Sequence, residues 1–350
     1  MNNRVVGVAV LGAGAVAQRR HLPEYAENKN AKIIGIFDRD EKRAAEVAEI
    51  YGCKVYNSLE EALADPEVEA VSVCVPNKFH AGYAIAALKA GKHVLVEKPM
   101  ATSLKDSHEM LEVWKASGKI LMPDHNQRLV RSFKKAHELL SQGIIGDLLF
   151  FQCNFQHPGP EFWSIDRTNS TWFFNKDLAG FGVMGDLGVH KVDLIRYLTE
   201  SEIKSVFASS RTLDKKDASG KPIDMDDNTI CMFVMENGLH GIMHFSWTNY
   251  GSQEDNGAVI YGTKGVMKIF GDYTDDIVVE MRDGVQIRYS VGSISTNTNQ
   301  LKSGVIDEFV GSIVEGREPV VTGFDGHQAL AIVIGAEESS KKGRWIEIEY

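Results

Sequence analysis

The sequence has little cysteine and no cysteine pattern. Its 350 residues include only four cysteines, Cys53, Cys74, Cys153 and Cys231, and no two of them form a CxxC pair. This spacing argues against a disulfide framework and against a structural zinc site. We expect four small buried thiols in a reducing compartment.

Long apolar runs are also missing. No run approaches the roughly 20 residues that a membrane helix needs. The apolar stretch Val5–Leu11 is too short for a signal peptide and stops at Gly12. The sequence therefore predicts a cytoplasmic protein with no membrane partner.

The sequence also lacks an excess of positive charge. Lys and Arg number 38 against 48 Asp and Glu, which gives a formal net charge of −10. This balance argues against nucleic acid and anionic membranes as partners, because both attract basic surfaces. No internal repeat or low-complexity tract is visible, and the length suggests two globular domains.

The first 123 residues alternate between β-branched apolar runs and amphipathic stretches. Such alternation predicts a parallel, doubly wound sheet covered on both faces, as in a Rossmann domain. The predicted strands are Val5–Leu11, Lys32–Phe37, Ala70–Val75, His93–Val96 and Ile120–Met122. The predicted helices are Val16–Asn28, broken near Pro23, then Glu41–Tyr51, His80–Ala90 and Ser103–Ser117.

Residues 124–350 read as an α+β domain with an open, mainly antiparallel sheet. Asn237-Gly238 and Asp283-Gly284 each separate two strand-like runs, which is a strong hairpin signal. Helices are predicted over Val189–Leu198, Leu301–Glu315 and Asp325–Lys341, on one face of the sheet. The other face needs a cover, so we expect a homodimer or homotetramer formed through it.

A glycine-rich turn follows the first predicted strand and opens a helix. It has the pattern GxGxxA over Gly12–Ala17. Gly12 allows the tight turn, and Gly14 lets the backbone approach a pyrophosphate. Ala15 and Val16 begin the helix, whose free N–H groups favour phosphates.

Asp38 ends the second predicted strand. A carboxylate there can accept hydrogen bonds from the ribose hydroxyls of NAD and repel a 2′-phosphate. Arg39 follows and could attract that phosphate instead. The pattern favours NAD as the cofactor and leaves NADP possible.

Three further stretches carry a family resemblance. They are VPNKFH at 75–80, GKHVLVEKP at 91–99, and Gly180–Asp193, which contains the pattern GxxxDxGxHxxD. With the glycine-rich turn, they make the chain resemble the glucose–fructose oxidoreductase, inositol dehydrogenase and rhizopine-catabolism (Gfo/Idh/MocA) family over essentially its whole length. The GKHVLVEKP run is the most specific part of the resemblance.

The resemblance implies a Rossmann domain followed by an open-sheet domain. It implies NAD- or NADP-dependent oxidation or reduction of a hydroxyl or carbonyl carbon on a sugar, cyclitol or related polyol. It places Lys98 beside the nicotinamide and the reacting oxygen, with Asp186 and His190 completing the site. It also implies a cis bond between Lys98 and Pro99. Further predicted cofactor contacts lie at Pro76, Asn77, His80 and Glu97, although His80 could simply begin a helix.

The chemistry of alcohol oxidation suits these residues. The reaction needs a hydride acceptor, which the cofactor supplies, and a group that takes the hydroxyl proton. His190 can take the proton because the ordinary pKa of a histidine lies near working pH, and a cationic Lys98 can stabilise the developing negative oxygen. The reverse assignment stays open, because a lysine near a positive nicotinamide could have a lowered pKa.

Asp186, His190 and Asp193 would share one face of a helix. Asp186 could cap that helix and also bind substrate hydroxyls, and Asp193 could orient His190 or bind substrate. A metal site is the competing interpretation of this cluster, and we predict no metal.

Further candidate substrate contacts lie after the domain crossover and in a long aromatic loop. The first set is Asn126 and Arg128, which could instead form an interdomain hydrogen bond. The loop set is His157, Phe162, Trp163 and Trp172. Aromatic faces can pack against a sugar, but the same side chains could be core or subunit contacts.

The sequence thus favours a dehydrogenase or reductase acting on a sugar or polyol. Two alternatives remain: an NAD-dependent glycoside hydrolase that recycles its cofactor, and a non-catalytic nucleotide-sensing regulator. The presence of Lys98, Asp186 and His190 argues against the regulator.

Overall fold

The chain folds as two compact units in the computed structural model, which describes residues 4–251, 253–270, 275–291 and 302–350. The first unit takes in the residues up to Asp124, together with 177–180 and 302–327. The second takes in 125–176, the described residues of 181–291, and 328–350. The sequence alone placed a single boundary after residue 123, and it assigned 302–327 to the second domain.

A six-stranded parallel sheet forms the centre of the first unit, with the strand order β3-β2-β1-β4-β5-β6. The strands are β1 Val6–Leu11, β2 Ala31–Phe37, β3 Lys54–Val55, β4 Ala70–Val73, β5 His93–Val96 and β6 Leu121–Pro123. Every residue of β1 and β4 is buried, as expected for strands covered on both faces. The order reverses at β1, so the predicted doubly wound sheet is confirmed.

The first helical stretch is interrupted close to Pro23, as predicted. A π-helical turn at Ala17–His21 precedes a short α1 at Leu22–Glu27. Pro23 lies in the first turn of α1, where a missing N–H is tolerated. The turn before the proline widens, and its last residue, His21, is fully buried.

The segment 302–327 belongs to the first unit because it is bonded to it. The buried backbone N–H of Ser303 donates to Glu24 Oε1 at 2.7 Å. Arg4 Nη1 donates to the carbonyl of Ile313 at 3.0 Å, and Phe309 is fully buried. The segment comes after most of the second unit in sequence, and its pattern is that of an ordinary helix and loop. The pattern alone therefore could not show that it belongs to the first unit.

A nine-stranded sheet forms the second unit, in the order β14-β13-β12-β11-β7-β10-β9-β8-β15. Its strands are β7 Leu148–Gln156, β8 Ile203–Arg211, β9 Asn228–Met235, β10 His240–Ser246, β11 Ala258–Gly262, β12 Gly265–Ile269, β13 Ile277–Met281, β14 Gln286–Tyr289 and β15 Ile346–Glu347. Neighbours are antiparallel except β7 and β10. The predicted open, mainly antiparallel sheet and both predicted hairpins are confirmed.

Helices cover one face of this sheet. The α-helices that follow α1 in the described residues are α2 Glu41–Tyr51, α3 Leu59–Ala64, α4 His80–Lys89, α5 Leu104–Ser117, α6 Arg131–Ser141, α7 Lys176–Ala179, α8 Val189–Thr199, α9 Val305–Glu315 and α10 Gly323–Lys342. Leu301, where the sequence began the helix now seen as α9, lies outside the described residues. The face opposite α6 and α8 exposes Ile230, Met232, Ile242 and Tyr261. In the described parts of the chain, no helix combines the length and apolarity that a membrane crossing requires.

Candidate active site

The predicted cofactor residues of the first unit lie at the carboxyl edge of its sheet. Gly12 follows β1, Asp38 follows β2, Pro76 comes soon after β4, and Lys98 comes soon after β5. Parallel strands end along the same edge, and the order reverses at β1, where open α/β sheets have their ligand crevice. The structure therefore brings these predicted residues together.

The two glycines of the turn meet different surroundings. Gly12 has a φ of +98°, and a Cβ added there would lie 2.5 Å from the carbonyl oxygen of Cys74. A Cβ added to Gly14 would meet no atom within 4 Å. The packing of the turn thus requires Gly12, whereas Gly14, followed by the partly exposed Ala15 and Val16, leaves the open backbone that a pyrophosphate needs.

Asp38 is held in place by the glycine-rich turn and by an arginine. Its carboxylate accepts hydrogen bonds from the backbone N–H of Ala13 at 2.6 Å and from Arg43 Nη2 at 2.7 Å. Burial raises the pKa of this carboxyl, but the hydrogen bonds from Arg43 and from the backbone of Asp40 and Ala13 outweigh it and lower the pKa. Asp38 is therefore ionised at neutral pH.

Arg43 is a residue that sequence reasoning missed. Arg39, which the sequence singled out, is exposed, and the ion pair to Asp38 comes from Arg43. Asp40 caps α2 by accepting from the N–H of Arg43. That cap was the available signal, because it places position 43 in the first turn of α2, beside the end of β2.

The loop after β4 is bonded to the loop after β5 through His80. This histidine is fully buried, with Nδ1 2.8 Å from the carbonyl of Pro99 and Nε2 2.8 Å from that of Val75. Burial lowers the pKa of His80 despite these two carbonyls, so the neutral ring donates to one of them at a time. Both nitrogens thus face backbone, which favours a supporting role over direct contact with the cofactor.

Asn77, the other side chain of that loop, lies in a short turn that Pro76 begins. Its Nδ2 donates to the carbonyl of Ala179 at 2.9 Å. This bond occupies the side-chain NH2 group of Asn77. A cofactor contact through Asn77 stays a prediction.

Lys98 follows a buried glutamate. The peptide bond between Lys98 and Pro99 is cis, as the resemblance implied. The backbone N–H of Lys98 donates to Glu97 Oε2 at 3.3 Å, and Glu97 Oε1 lies 3.0 Å from His21 Nε2. Glu97 therefore faces the interior of the first unit, and Lys98 is partly exposed at the sheet edge.

His21, Glu97 and Asp124 form a cluster that the sequence did not predict. Their ligand-type atoms all lie within 4.8 Å of one another, and all three residues are buried. The residues come from the π-helical turn and from the ends of β5 and β6. No local motif joins them, so only the register of the sheet could have revealed the cluster.

Asp186 and His190 lie in and beside a second π-helical turn. Met184–Gly188 forms that turn, and His190 is in the first turn of α8. Val183 and Gly188, not Asp186, are the residues that precede the two helical segments, so the expected cap is wrong. Asp186 instead accepts a hydrogen bond from Trp247 Nε1 at 3.0 Å.

The environment of His190 is apolar on one side. Its ring lies 5.8 Å from that of Phe155, centroid to centroid, and the residue is buried. A shared face for Asp186, His190 and Asp193 stays a prediction. Asp186 and His190 nevertheless belong to the second unit and come from one continuous glycine-rich segment.

Asp193 and Arg128 form a buried ion pair. Arg128 donates to the carboxylate through Nη2 at 2.6 Å and Nε at 2.7 Å. Arg196 Nη1 lies 3.5 Å from the same carboxylate. Asp193 is thus engaged by two arginines of its own unit. A substrate contact through Arg128, or through the buried Asn126 before it, stays a prediction.

The aromatic loop packs largely on itself. Trp163 lies edge-on to Phe173 at 4.9 Å between ring centroids, and Phe173 stacks on Trp172 at 3.8 Å. His157 Nδ1 accepts from the N–H of Gly159. These contacts favour the core interpretation for Trp163 and Trp172. Sugar contacts through His157 and Trp163 stay a prediction.

A buried lysine also bonds to the aromatic loop. Lys215 is buried and donates to the carbonyl of Pro158 and to Glu161, and its ammonium lies 5.4 Å from the ring centre of Phe162. Phe162 remains 56% exposed. The base of the loop is therefore fixed, while this aromatic side chain is available at the surface.

Comparison with known proteins adds an independent view. Residues 6–125 match a family model described as the Gfo/Idh/MocA oxidoreductase family with an NAD-binding Rossmann fold. Residues 133–268 match the model of the C-terminal domain of the same family.

Curated relatives align over most of the chain. The myo-inositol 2-dehydrogenase of Thermotoga maritima is 28% identical, over 98% of each chain. The levoglucosan dehydrogenase of Pseudarthrobacter phenanthrenivorans is 26% identical, over 89% of this chain and 88% of the relative. Among solved structures, a levoglucosan dehydrogenase in complex with NADH has a TM-score of 0.88 at 23% identity, over 99% of this chain and 100% of that one. This structural likeness concerns the fold.

Proposed function

Because the chain belongs to the Gfo/Idh/MocA family of NAD-binding oxidoreductases, we propose that it transfers hydride between NAD and a hydroxyl or carbonyl carbon of a sugar, cyclitol or related polyol. The observation that carries this proposal lies in the first unit. The open backbone at Gly14 and the partly exposed Lys98 lie along the same carboxyl edge of one parallel sheet. Relatives named for inositol and levoglucosan support the substrate class.

The proposed roles follow from charge. Bound NAD supplies the hydride acceptor. Lys98 stabilises the negative charge that develops on the substrate oxygen. His190 takes the hydroxyl proton as a general base, and Asp186, already oriented by Trp247, binds substrate hydroxyls.

The choice of NAD over NADP rests on Asp38. Its carboxylate is ionised and buried behind the glycine-rich turn. A 2′-phosphate placed beside it would be repelled, although Arg43 neutralises part of that charge. We therefore expect the protein to bind NAD more tightly than NADP.

The decisive experiment mixes the protein with NAD or NADP and a panel of cyclitols, aldoses and sugar acids. Reduced nicotinamide is followed by absorbance. Turnover with NAD supports the proposal. Release of a reducing sugar from glycosides without net NADH would instead indicate the recycling hydrolase, and tight NAD binding without either reaction would indicate a sensor.

Substitution of Lys98 tests the assignment of roles. Lys98→Met should lower kcat by about 100-fold or more, because one preorganised charge is lost, with NAD affinity within about twofold of wild type. Lys89→Met, at an exposed lysine of α4, is the matched control and should keep full activity. Retained turnover in Lys98→Met would remove this lysine from the mechanism.

We also propose a homodimer or homotetramer assembled through the exposed sheet face, and a cytoplasmic location. The exposed apolar side chains of β9, β10 and β11 support the first. The four cysteines, all present as free thiols, support the second. The prediction that all four are buried is wrong for Cys53 and Cys74, which are partly exposed.

A further inference from the structure

The cluster of His21, Glu97 and Asp124 lies immediately behind the loop that carries Lys98. The imidazole of His21 is fully buried. Its Nε2 lies 3.0 Å from Glu97 Oε1 and 3.4 Å from Asp124 Oδ2. Its Nδ1 lies 3.2 Å from Ser72 Oγ. One ring thus faces two carboxyl groups and a hydroxyl.

The charges of this cluster constrain one another. Two buried carboxylates beside a neutral ring would repel each other in a medium of low dielectric constant. Burial lowers the pKa of His21, but Cys74, Asp124 and Glu97 outweigh it and raise that pKa well above its usual value. His21 is therefore a cation at neutral pH.

The two acids differ in their protonation. Burial raises the pKa of Glu97, but His21, Arg20 and Lys98 outweigh burial and lower it. Burial and the charge of Glu97 raise the pKa of Asp124. The cluster consequently places an ionised Glu97 against a charged His21, while Asp124 is the acid that holds a proton more readily.

Glu97 connects the cluster to Lys98. Its Oε1 faces His21, and its Oε2 accepts the backbone N–H of Lys98 at 3.3 Å. The ammonium group of Lys98 is also close enough to lower the pKa of Glu97. A change in the side chain or charge of His21 therefore reaches Lys98 through one intervening carboxylate.

A bound metal is the competing interpretation of three such side chains. The ligand-type atoms are close enough for it. However, Arg20 Nη1 lies 3.6 Å from Asp124 Oδ2, where it would repel a divalent cation. His21 Nε2 already lies at hydrogen-bond distance from Glu97. The contacts therefore favour a hydrogen-bonded ionic cluster.

We propose that His21 is a positioning residue for Lys98, acting through Glu97, with Asp124 as the second acid that holds the imidazole in place. This inference rests on the proposed function, in which Lys98 contacts the reacting oxygen. It assigns a role in the reaction to the π-helical turn that follows the glycine-rich motif. It also makes the geometry of Lys98 depend on the proton carried by His21.

The groups that face His21 come from every element packed around it. They are Tyr25 on α1, Ser72 on β4, Cys74 after β4, Glu97 after β5 and Asp124 after β6. Arg20 and Lys98 act on the two acids of the cluster. Glu97 and Asp124 are the acids in contact with the ring. Replacing either should therefore change the pH at which His21 loses its proton.

The first test is kinetic. His21→Gln keeps a polar side chain but removes the charge, and it should lower kcat by about 10- to 100-fold, since a displacement near 1 Å can cost that much. The KM for the polyol and the Kd for NAD should stay within about twofold. His327→Gln is the matched control, because His327 is also buried but bonds to Ser107 rather than to an acid. It should keep the wild-type kcat.

The second test is the pH profile. Asp124→Asn is nearly isosteric, so it should fold even if His21→Gln does not. Removing the acid lowers the pKa of His21, so the decline of kcat at alkaline pH should begin at least one pH unit lower than in wild type. A purely structural role would lower thermal stability and leave the profile in place.

The third test does not need turnover. Lysines are reductively methylated with ¹³C, and the Lys98 resonance is identified by its absence in Lys98→Arg. That resonance should shift in His21→Gln and in Asp124→Asn, but not in His327→Gln. If no polyol is oxidised by the wild-type protein, the proposed function fails, and this spectrum still decides whether His21 positions Lys98.

Two results would overturn the inference. One is an unchanged Lys98 resonance together with unchanged kcat in His21→Gln. The other is one equivalent of metal per chain in purified wild type, measured by elemental analysis and lost in His21→Gln, which would make the cluster a metal site.

Discussion

Gly12 and Gly14 are separated by one residue, yet a methyl group added at each meets different surroundings. At Gly12 it would overlap the backbone of Cys74, and the backbone has a φ of +98°. At Gly14 it would enter open space. The first glycine is therefore required by the packing of the turn, whereas the second leaves the backbone open for the proposed pyrophosphate contact.

This difference predicts opposite phenotypes. Gly14→Ala should unfold within about 1 °C of wild type, because nothing in the protein is displaced, and should bind NAD at least about tenfold more weakly. Gly12→Ala should lose folded protein. Calorimetric titration with NAD and thermal unfolding measure both effects, with Gly82→Ala on α4 as a control that changes neither binding nor packing. Wild-type NAD affinity in Gly14→Ala would place the pyrophosphate elsewhere.

At the residue scale, the sequence predicted the site residues that lie in local motifs. Gly12, Gly14 and Asp38 follow recognisable strands in local motifs, and the place of Lys98 followed from the family resemblance. The cluster around His21 could not be predicted, because its members are far apart in sequence and meet only through the register of three parallel strands.

At the scale of elements, α8 carries a lysine inside the second unit. The ammonium of Lys191 lies 3.0 Å from the carbonyl of Asn256 and 4.9 Å from the ring centre of Phe133. The side chain is fully buried. Burial lowers the pKa of Lys191 to about 8.

This lysine predicts a rise in stability at alkaline pH. Because its pKa is lower in the folded state, the unfolded chain binds more protons between about pH 8 and 10.5, so stability increases with pH across that window. Below pH 8 the full penalty is present, on the order of 3 kcal/mol. Lys191→Met removes it, so the stability advantage of the variant over wild type should shrink by about that amount from pH 7 to 10.5.

Urea unfolding at several pH values measures this difference. Lys204→Met, at an exposed lysine of β8, should show no such dependence. A constant difference between Lys191→Met and wild type at all pH values would mean that Lys191 is charged normally in the folded state.

The strands and hairpins were predictable because alternation and the Asn-Gly and Asp-Gly turns are local signals. The two π-helical turns were not. Each inserts an extra residue before a regular helix. A break near Pro23 was predicted, but the apolar pattern of Ala17–Glu27 or Met184–Thr199 does not distinguish a π-helical turn from an α-helical one. Both irregular turns carry proposed functional residues, His21 and Asp186.

At the scale of the whole molecule, the nine-stranded sheet exposes an apolar face. Met232 and Ile230 alternate with buried residues along β9, and Ile242 lies opposite Met232 on β10. Side chains of this kind on a paired, central part of a sheet are typical of a subunit interface.

Met232→Glu should therefore dissociate the assembly, because it places a charge at the centre of that face. Light scattering coupled to size-exclusion chromatography should give a mass near the 38.8 kDa of one chain, against a multiple of it for wild type. Ile50→Glu, at a 75% exposed position on α2, should leave the mass unchanged. A wild-type protein that is already monomeric would contradict the proposed assembly.

The family and both sheet types could be predicted from the sequence, but the path of the chain between the units could not. Segment 302–327 has the composition of an ordinary amphipathic helix and loop. Its placement depends on specific bonds such as that between Ser303 and Glu24, which no periodicity encodes.

The position of segment 302–327 in the first unit has a consequence for biosynthesis. The first unit needs segment 302–327, which leaves the ribosome only after most of the second unit has been synthesised. Until then, the apolar surface that Phe309 and its neighbours cover is open to chaperones. The first unit therefore cannot complete its packing before most of the second unit has been made, although the strands of its own sheet are synthesised first.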